Sequence, residues 1–311
     1  MNIPYLSADD LTGLGITTDQ VIASIEQVIQ GAADGRVWAA PKAVITTDDN
    51  RYMMAALAAM DGPAHLVVKT VVLNPDNSNH GLPQINGLVT MLDSKTGLPA
   101  AILDGNWITA VRTAGLSAVA AKYMARPDAQ VVGFIGTGVQ ARSHLALFAD
   151  MFPLHTVKFS GRGQANKDLL TAQAHDLGLK VQDCDANDIV ETSDILVTSI
   201  THTAGVAPFV NADTMPPGSF AAAVDLAGIW HKESFAMLDQ ITVDDVTQEA
   251  AMPSKLCPPS AITGDLSQLS LGQVTGRVNE SDRNAFVFRG HALGDLALAS
   301  LALQKYLGTA P

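Results

Sequence analysis

Apolar residues recur at helical spacing in residues 7–31, where Val21, Ile22, Ile25, Val28 and Ile29 share one face and Ser7 offers a cap. Past residue 40 the pattern becomes strand-like. "AVITTD", "RYMMAAL" and "HLVVKTVVL" read as strands, and the apolar runs flanking "DSKTG" in "GLVTMLDSKTGLPAAILDG" read as a hairpin. A helix with a mostly antiparallel sheet is therefore predicted for the first hundred residues. One position breaks the pattern: Lys69 shares a strand face with Val67, Val71 and Leu73. An ammonium group is costly to bury without a partner.

The alanine-rich stretch 106–125 predicts a long helix, ended by Pro127. After it the chain alternates. "QVVGFIGTG", "TVKFSG", "DILVTSI", "SFAAAVDL" and "QITVDD" read as strands, "VQARSHLALFADMF" and "NKDLLTAQAHDLG" as helices between the first of them. Such alternation builds a parallel sheet covered on both faces. The predicted fold class is α/β: a Rossmann-type doubly wound sheet plus an α+β domain. We set the domains at 1–118 and 119–290, with a last helix in 291–311 returning to the first.

Composition narrows the function classes. The 311 residues are 47% hydrophobic and 16% charged, enough for real cores and too apolar for disorder. Apolar runs break before membrane-spanning length, and the N-terminus has no signal-peptide pattern. The two cysteines, Cys184 and Cys257, have neither disulfide-framework nor zinc spacing. A net charge of -12 without a basic stripe argues against nucleic acid. The acidic run "DCDANDIVETSD" reads as a solvated loop and helix face. The expectation is a cytoplasmic protein that touches neither nucleic acid nor membrane.

Chemistry enters at "VVGFIGTGVQARSHL". Gly136, Thr137, Gly138, Val139, Gln140 and Ala141 form GxGxxA between a strand and a helix. There Gly136 makes the tight turn, Gly138 lets a pyrophosphate approach, and Ala141 permits close helix packing. The next strand ends in "GRG" without the acid an NAD site usually shows; Arg162 stands where a 2′-phosphate would lie, followed by Lys167. NADP(H) is preferred, with NAD(H) the other possibility.

Five stretches together, "VVKTVVLNPDN", "GLVTMLDSKTGLPAAILDG", "TAVRTAGLSAVAAKYMA", "GFIGTGVQA" and "AVDLAG", resemble the ornithine cyclodeaminase and mu-crystallin family over nearly the whole chain. The resemblance implies Lys69 and Asp225 as catalytic residues. It implies Lys42, Arg51, Lys69 and Arg112 around the substrate carboxylate, and Thr113, Thr198, Ser199, Val224 and Leu226 beside the glycine loop at the cofactor. It also implies a small amino- or imino-acid substrate and a homodimer formed through the first domain. The reaction expected is NAD(P)H-dependent reduction of a small cyclic imino acid of the pyrroline-2-carboxylate or ketimine type. Ornithine cyclodeaminase, alanine-dehydrogenase-like and non-enzymatic NADP-dependent binding readings stand beside it. Departures are Lys42 in place of an arginine, an unusual "YMMAALAAM" that makes Arg51 hard to align, and "AGIWHKE" after Asp225 without the usual proline. There Trp230 and His231 either line a pocket or lie at the surface. Near the end the family pattern G-apolar-A-x-x-D reads "GHALGD", with His291 at the apolar position.

Overall fold

Lys69 sits in the second of four long antiparallel strands. The computed structural model describes residues 3–201 and 205–309. Its two units divide at Arg112/Thr113, with the chain from His291 onward belonging to the first. The sequence reading placed the divide at 118/119. The structure places it within one uninterrupted helix, Gly105–Met124.

The first unit is a seven-stranded sheet of β1 (Tyr5–Leu6), β2 (Val37–Ala39), β3 (Ala43–Thr46), β4 (Tyr52–Asp61), β5 (Ala64–Leu73), β6 (Ile85–Leu92) and β7 (Pro99–Asp104). Their order is β1-β7-β6-β5-β4-β2, with β3 also on β4. All pairs are antiparallel except β1 with β7. The helix expected over 7–31 is two helices, α1 (Ala8–Gly13) and α2 (Thr18–Ala33). Gly15 turns left-handed at φ +59° between them, and Thr17 restarts the helix through a capping box with Gln20. A returning helix, Ala292–Tyr306, packs on β4, β5 and α2. Val67, Val89, Met91 and Leu103 are buried on the same sheet face as Lys69.

The second unit is an eight-stranded parallel sheet of β8 (Val131–Ile135), β9 (Thr156–Ser160), β10 (Lys180–Asp183), β11 (Ile195–Thr198), β12 (Phe220–Ala223), β13 (Gln240–Val243), β14 (Gly264–Asp265) and β15 (Asn284–Val287). Its order is β10-β9-β8-β11-β12-β15-β13-β14. From β8 the chain winds one way to β9 and β10, then the other way from β11. The switch point, where doubly wound sheets bind ligands, therefore lies between β8 and β11. The four residues of β11, β12 and β15 are all buried, as strands covered on both faces require.

Candidate active site

In the first unit the sheet register explains the lysine. Lys69 pairs with Ala56 on one side and Val89 on the other. One residue beyond the Ala43–Ala55 pair, Lys42 falls opposite Ala56 in the same row. Alanine at 56 leaves space on the buried face for a long side chain. Lys69 is fully buried there, with Nζ 2.6 Å from Asp295 Oδ1. Arg112 Nε lies 3.0 Å from the same oxygen. Asp295 sits in the first turn of the returning helix, where the helix dipole favours an anion.

Burial pushes the Lys69 ammonium down to about 7; the charges of Arg112 and Lys42 push the same way, and Asp295 opposes them. Asp295 is held below the ordinary carboxylate range because Lys69 and Arg112 outweigh the cost of its burial. Three cations thus act on one another around a single carboxylate. Two more polar groups lie on the face of the long helix that carries Arg112: Asn106 Oδ1 and Thr109 Oγ1 are buried without a hydrogen-bond partner. Such a set suits an anionic, hydrogen-bonding ligand.

Of the predicted substrate residues, Lys42, Lys69 and Arg112 belong to this cluster, and Arg51 does not. Arg51 Nε bonds the Asp49 carboxylate at 2.8 Å in the β3–β4 turn. It lies five positions along β4 from Ala56, about 17 Å from the Lys69 row. The cluster's anion, Asp295, was overlooked as a site residue, although the G-apolar-A-x-x-D pattern ends on it. His291 caps the returning helix, its Nδ1 accepting from the Leu293 N–H at 3.1 Å, which is a structural role.

In the second unit the glycine loop follows β8, and helix α4 (Val139–Met151) follows the loop. Gly136 has φ +102°, and a Cβ there would stand 2.9 Å from the Ser199 carbonyl oxygen, so only glycine fits. Gly138 caps α4 with no side-chain hydrogen bond and has open space where a Cβ would be. The first N–H groups of α4 are free of side-chain caps, as a phosphate site requires. A cavity of about 510 Å³ opens beside them. It is lined by the predicted Gly136, Thr137, Gly138, Arg162 and Ser199, and also by Asn166, Ile200 and Phe209, which were not predicted. Ser199 Oγ is a buried hydroxyl without a hydrogen-bond partner. The loop, the uncapped helix and the orphan hydroxyl fit a dinucleotide.

Val139, Gln140 and Ala141 form the first turn of α4, Ala141 fully buried and Val139 exposed. Thr113 and Thr198 are buried. Val224 is half-buried and Leu226 exposed, at the turn after β12. Lys167 Nζ pairs with Asp183 Oδ2 at 2.7 Å.

Asp225 lies two residues past the end of β12, in a buried setting. Its Oδ1 accepts from Thr198 Oγ1 at 2.9 Å and its Oδ2 from the Ile200 N–H at 3.3 Å. Burial raises it to about 6, against the hydrogen bonds of Thr198, Ile200, Ala227 and its own N–H. A carboxyl in that range can hold or release a proton near neutral pH. Leu226 and Ala227 follow at φ 61° and 51°, a left-handed pair unusual for residues with side chains. Of the doubtful neighbours, Trp230 is buried, and His231 is part-exposed beside Glu233 at 3.4 Å.

A doubly wound dinucleotide-binding unit joined to an antiparallel unit with a buried cationic cluster defines the class. The family model described as Ornithine cyclodeaminase/mu-crystallin family matches residues 6–309, and the chain belongs to that family. It is 27% identical to an alanine dehydrogenase of Archaeoglobus fulgidus, over 99% of this chain and 98% of that one. It is 28% identical to a Delta(1)-pyrroline-2-carboxylate reductase of Bacillus cereus, over 79% of each. Among solved structures, the Thermococcus litoralis Delta(1)-pyrroline-2-carboxylate reductase in complex with NADH and L-proline superposes with a TM-score of 0.89. It shares 27% identity and covers 98% of both chains. The chain is an enzyme of this class, an NAD(P)-dependent oxidoreductase of C–N bonds or a cyclodeaminase.

Proposed function

We propose that the protein reduces a small cyclic imino acid of the pyrroline-2-carboxylate type, using NADPH in preference to NADH. The buried cluster carries the reading: Lys69 and Arg112 meet at the Asp295 carboxylate with Lys42 acting on the same pair, and such a gathering of cations suits a substrate carboxylate. Arg112 offers a planar fork, and Lys69 a point charge that gains a proton as the anion binds. The same structure that superposes so well holds L-proline and NADH, the product and reductant such a reaction has. When bound, the dinucleotide supplies the hydride. Gly136, Gly138 and the start of α4 would hold its phosphates. Asp225 would keep a proton at the imine nitrogen, so that hydride and proton together convert C=N to CH–NH.

Arg162 supports the phosphorylated cofactor. It lines the cavity just after β9, which ends in Ser160 with no acid to receive a ribose 2′-hydroxyl. Arg142 stands nearby, bonded to Asn166 at 3.1 Å. The test is the decay of nicotinamide absorbance with pyrroline-2-carboxylate. Faster turnover with NADPH than NADH is expected, and Arg162→Ala should raise the KM for NADPH about 10-fold or more with little effect on NADH. No decay with either cofactor would refute the substrate. Formation of proline and ammonia from ornithine with catalytic NAD+ would favour the cyclodeaminase.

The sheet face opposite Lys69 is exposed and apolar, with Ile45, Leu57, Val72 and Leu88 all uncovered. We infer that a second copy covers it in a homodimer. Sedimentation is expected to give twice 32.6 kDa, and Leu57→Glu to shift it toward the monomer. Among the described residues no helix is long and apolar enough to cross a membrane. Both cysteines are free thiols, which suits a reducing cytoplasm.

A further inference from the structure

Trp230 is the largest fully buried side chain among the described residues. Its ring packs against Phe235 with centroids 5.6 Å apart, in the apolar cluster that holds Val210 and Ile229. Packing alone does not require an indole. The indole nitrogen has one hydrogen and accepts nothing. It donates to Thr198 Oγ1 at 3.0 Å, and that same oxygen lies 2.9 Å from Asp225 Oδ1. A threonine hydroxyl has one hydrogen and two lone pairs. The indole occupies a lone pair, so the hydroxyl hydrogen is left for the carboxylate.

We propose that Trp230 is a positioning residue for Asp225: its N–H commits the Thr198 hydroxyl to donating to Oδ1, which fixes the carboxyl plane and favours its ionised form. The inference deepens the reading of Asp225 as the group that handles the substrate proton, and rests on it. Trp230 also anchors the turn that carries Asp225. Its backbone N–H donates to the Ala227 carbonyl at 3.2 Å, and it pairs with Val210 in an isolated parallel bridge. These contacts hold Leu226 and Ala227 in the left-handed region, where a residue with a side chain is strained. Ring and N–H are separable functions, because phenylalanine keeps an aromatic ring and lacks the donor.

Without the indole, the Thr198 hydroxyl is free to turn its hydrogen elsewhere or to accept from a protonated Asp225. Proton affinity at Asp225 then rises. Among the described residues, the causes acting on Asp225 are burial, which comes first, and then the hydrogen bonds of Thr198, Ile200, Ala227 and its own backbone.

The experiment is a carbon NMR titration of the full-length protein labelled at aspartate Cγ. The Asp225 signal is assigned by its loss in Asp225→Asn. Its midpoint is expected to rise by about half a pH unit in Trp230→Phe and by about one unit in Thr198→Val, while Thr198→Ser stays at the wild-type value. An unshifted midpoint in Trp230→Phe overturns the proposal and leaves Trp230 a packing residue. If Trp230→Phe does not fold, the indole N–H of Trp230 is followed in Thr198→Val. It is expected to move upfield on losing its acceptor, and an unmoved signal overturns the proposal equally. The readout needs no turnover. A shifted Asp225 in a protein that reduces no imino acid would refute the substrate reading and leave this one standing.

Discussion

Asp295→Asn is expected to cost about 3–5 kcal/mol of stability and to lower the melting temperature by roughly 10 °C. The reason is an asymmetry in the buried cluster. One carboxylate serves two cations, with Lys69 Nζ at 2.6 Å and Arg112 Nε at 3.0 Å from the same oxygen. Asparagine keeps the shape and removes the charge, leaving both cations without their anion where water does not reach. The pH dependence has a definite sign. Asp295 is held below its ordinary value of 3.8, so its contribution is complete above that value and is lost as pH falls through the lowered one. Melting curves between pH 3 and 8 should show that acid limb in the wild type and a flatter one in the variant. Equal melting temperatures at pH 7 would show that Asp295 is not the counter-ion of this cluster.

Lys69→Met should do the opposite to stability while removing activity. Methionine matches the length of the side chain and suits an apolar strand face. Arg112 and Lys42 remain to act on Asp295, so the change removes one of three cations and the cost of burying it. Stability at pH 7 should therefore stay within about 1 kcal/mol of the wild type or exceed it, while kcat/KM falls about 1000-fold. The wild-type lysine is lowered to about 7 from 10.5. Between those values the unfolded chain binds more protons than the folded one. Wild-type stability should then rise with pH by up to about 1.4 kcal/mol per unit, and below 7 the full penalty remains. The methionine variant lacks that slope. Denaturant titrations at pH 7 and 9 measure it; a variant several kcal/mol weaker with activity intact would make Lys69 a structural residue.

How much of this was legible depended on how local each signal was. A lysine among valines is visible because strand alternation spans only a few residues. The glycine loop is visible for the same reason: turn, phosphate approach and helix start lie within six residues. Asp295 lies 226 residues from Lys69, and nothing in either segment alone points to the other. The broken first helix was misread because apolar spacing continues across Gly15, while the decisive marks, a left-handed glycine and the Thr17–Gln20 capping box, are polar. Arg51 drew attention as a cation near the substrate strands. Its short link to Asp49 followed from the β3–β4 turn, which apolar patterning does not describe. Trp230 stood at even odds between pocket and surface. Its role depends on a hydroxyl 32 residues earlier, on the strand next to β12.

The returning helix gives the order of assembly a consequence. The second unit, Thr113–Gly290, is spelled out between Arg112 and His291. As a chain emerges from the ribosome, β4 and β5 are made early, yet Lys69 has no Asp295 beside it, and β4 and β5 lack the helix that packs on them, until Ala292–Tyr306 arrives. The antiparallel sheet must wait, open, through the synthesis of a whole Rossmann unit. Sealing the lysine is thus among the last events of folding, and a nascent chain that stalls before Asp295 carries an exposed apolar sheet for chaperones and proteases to read.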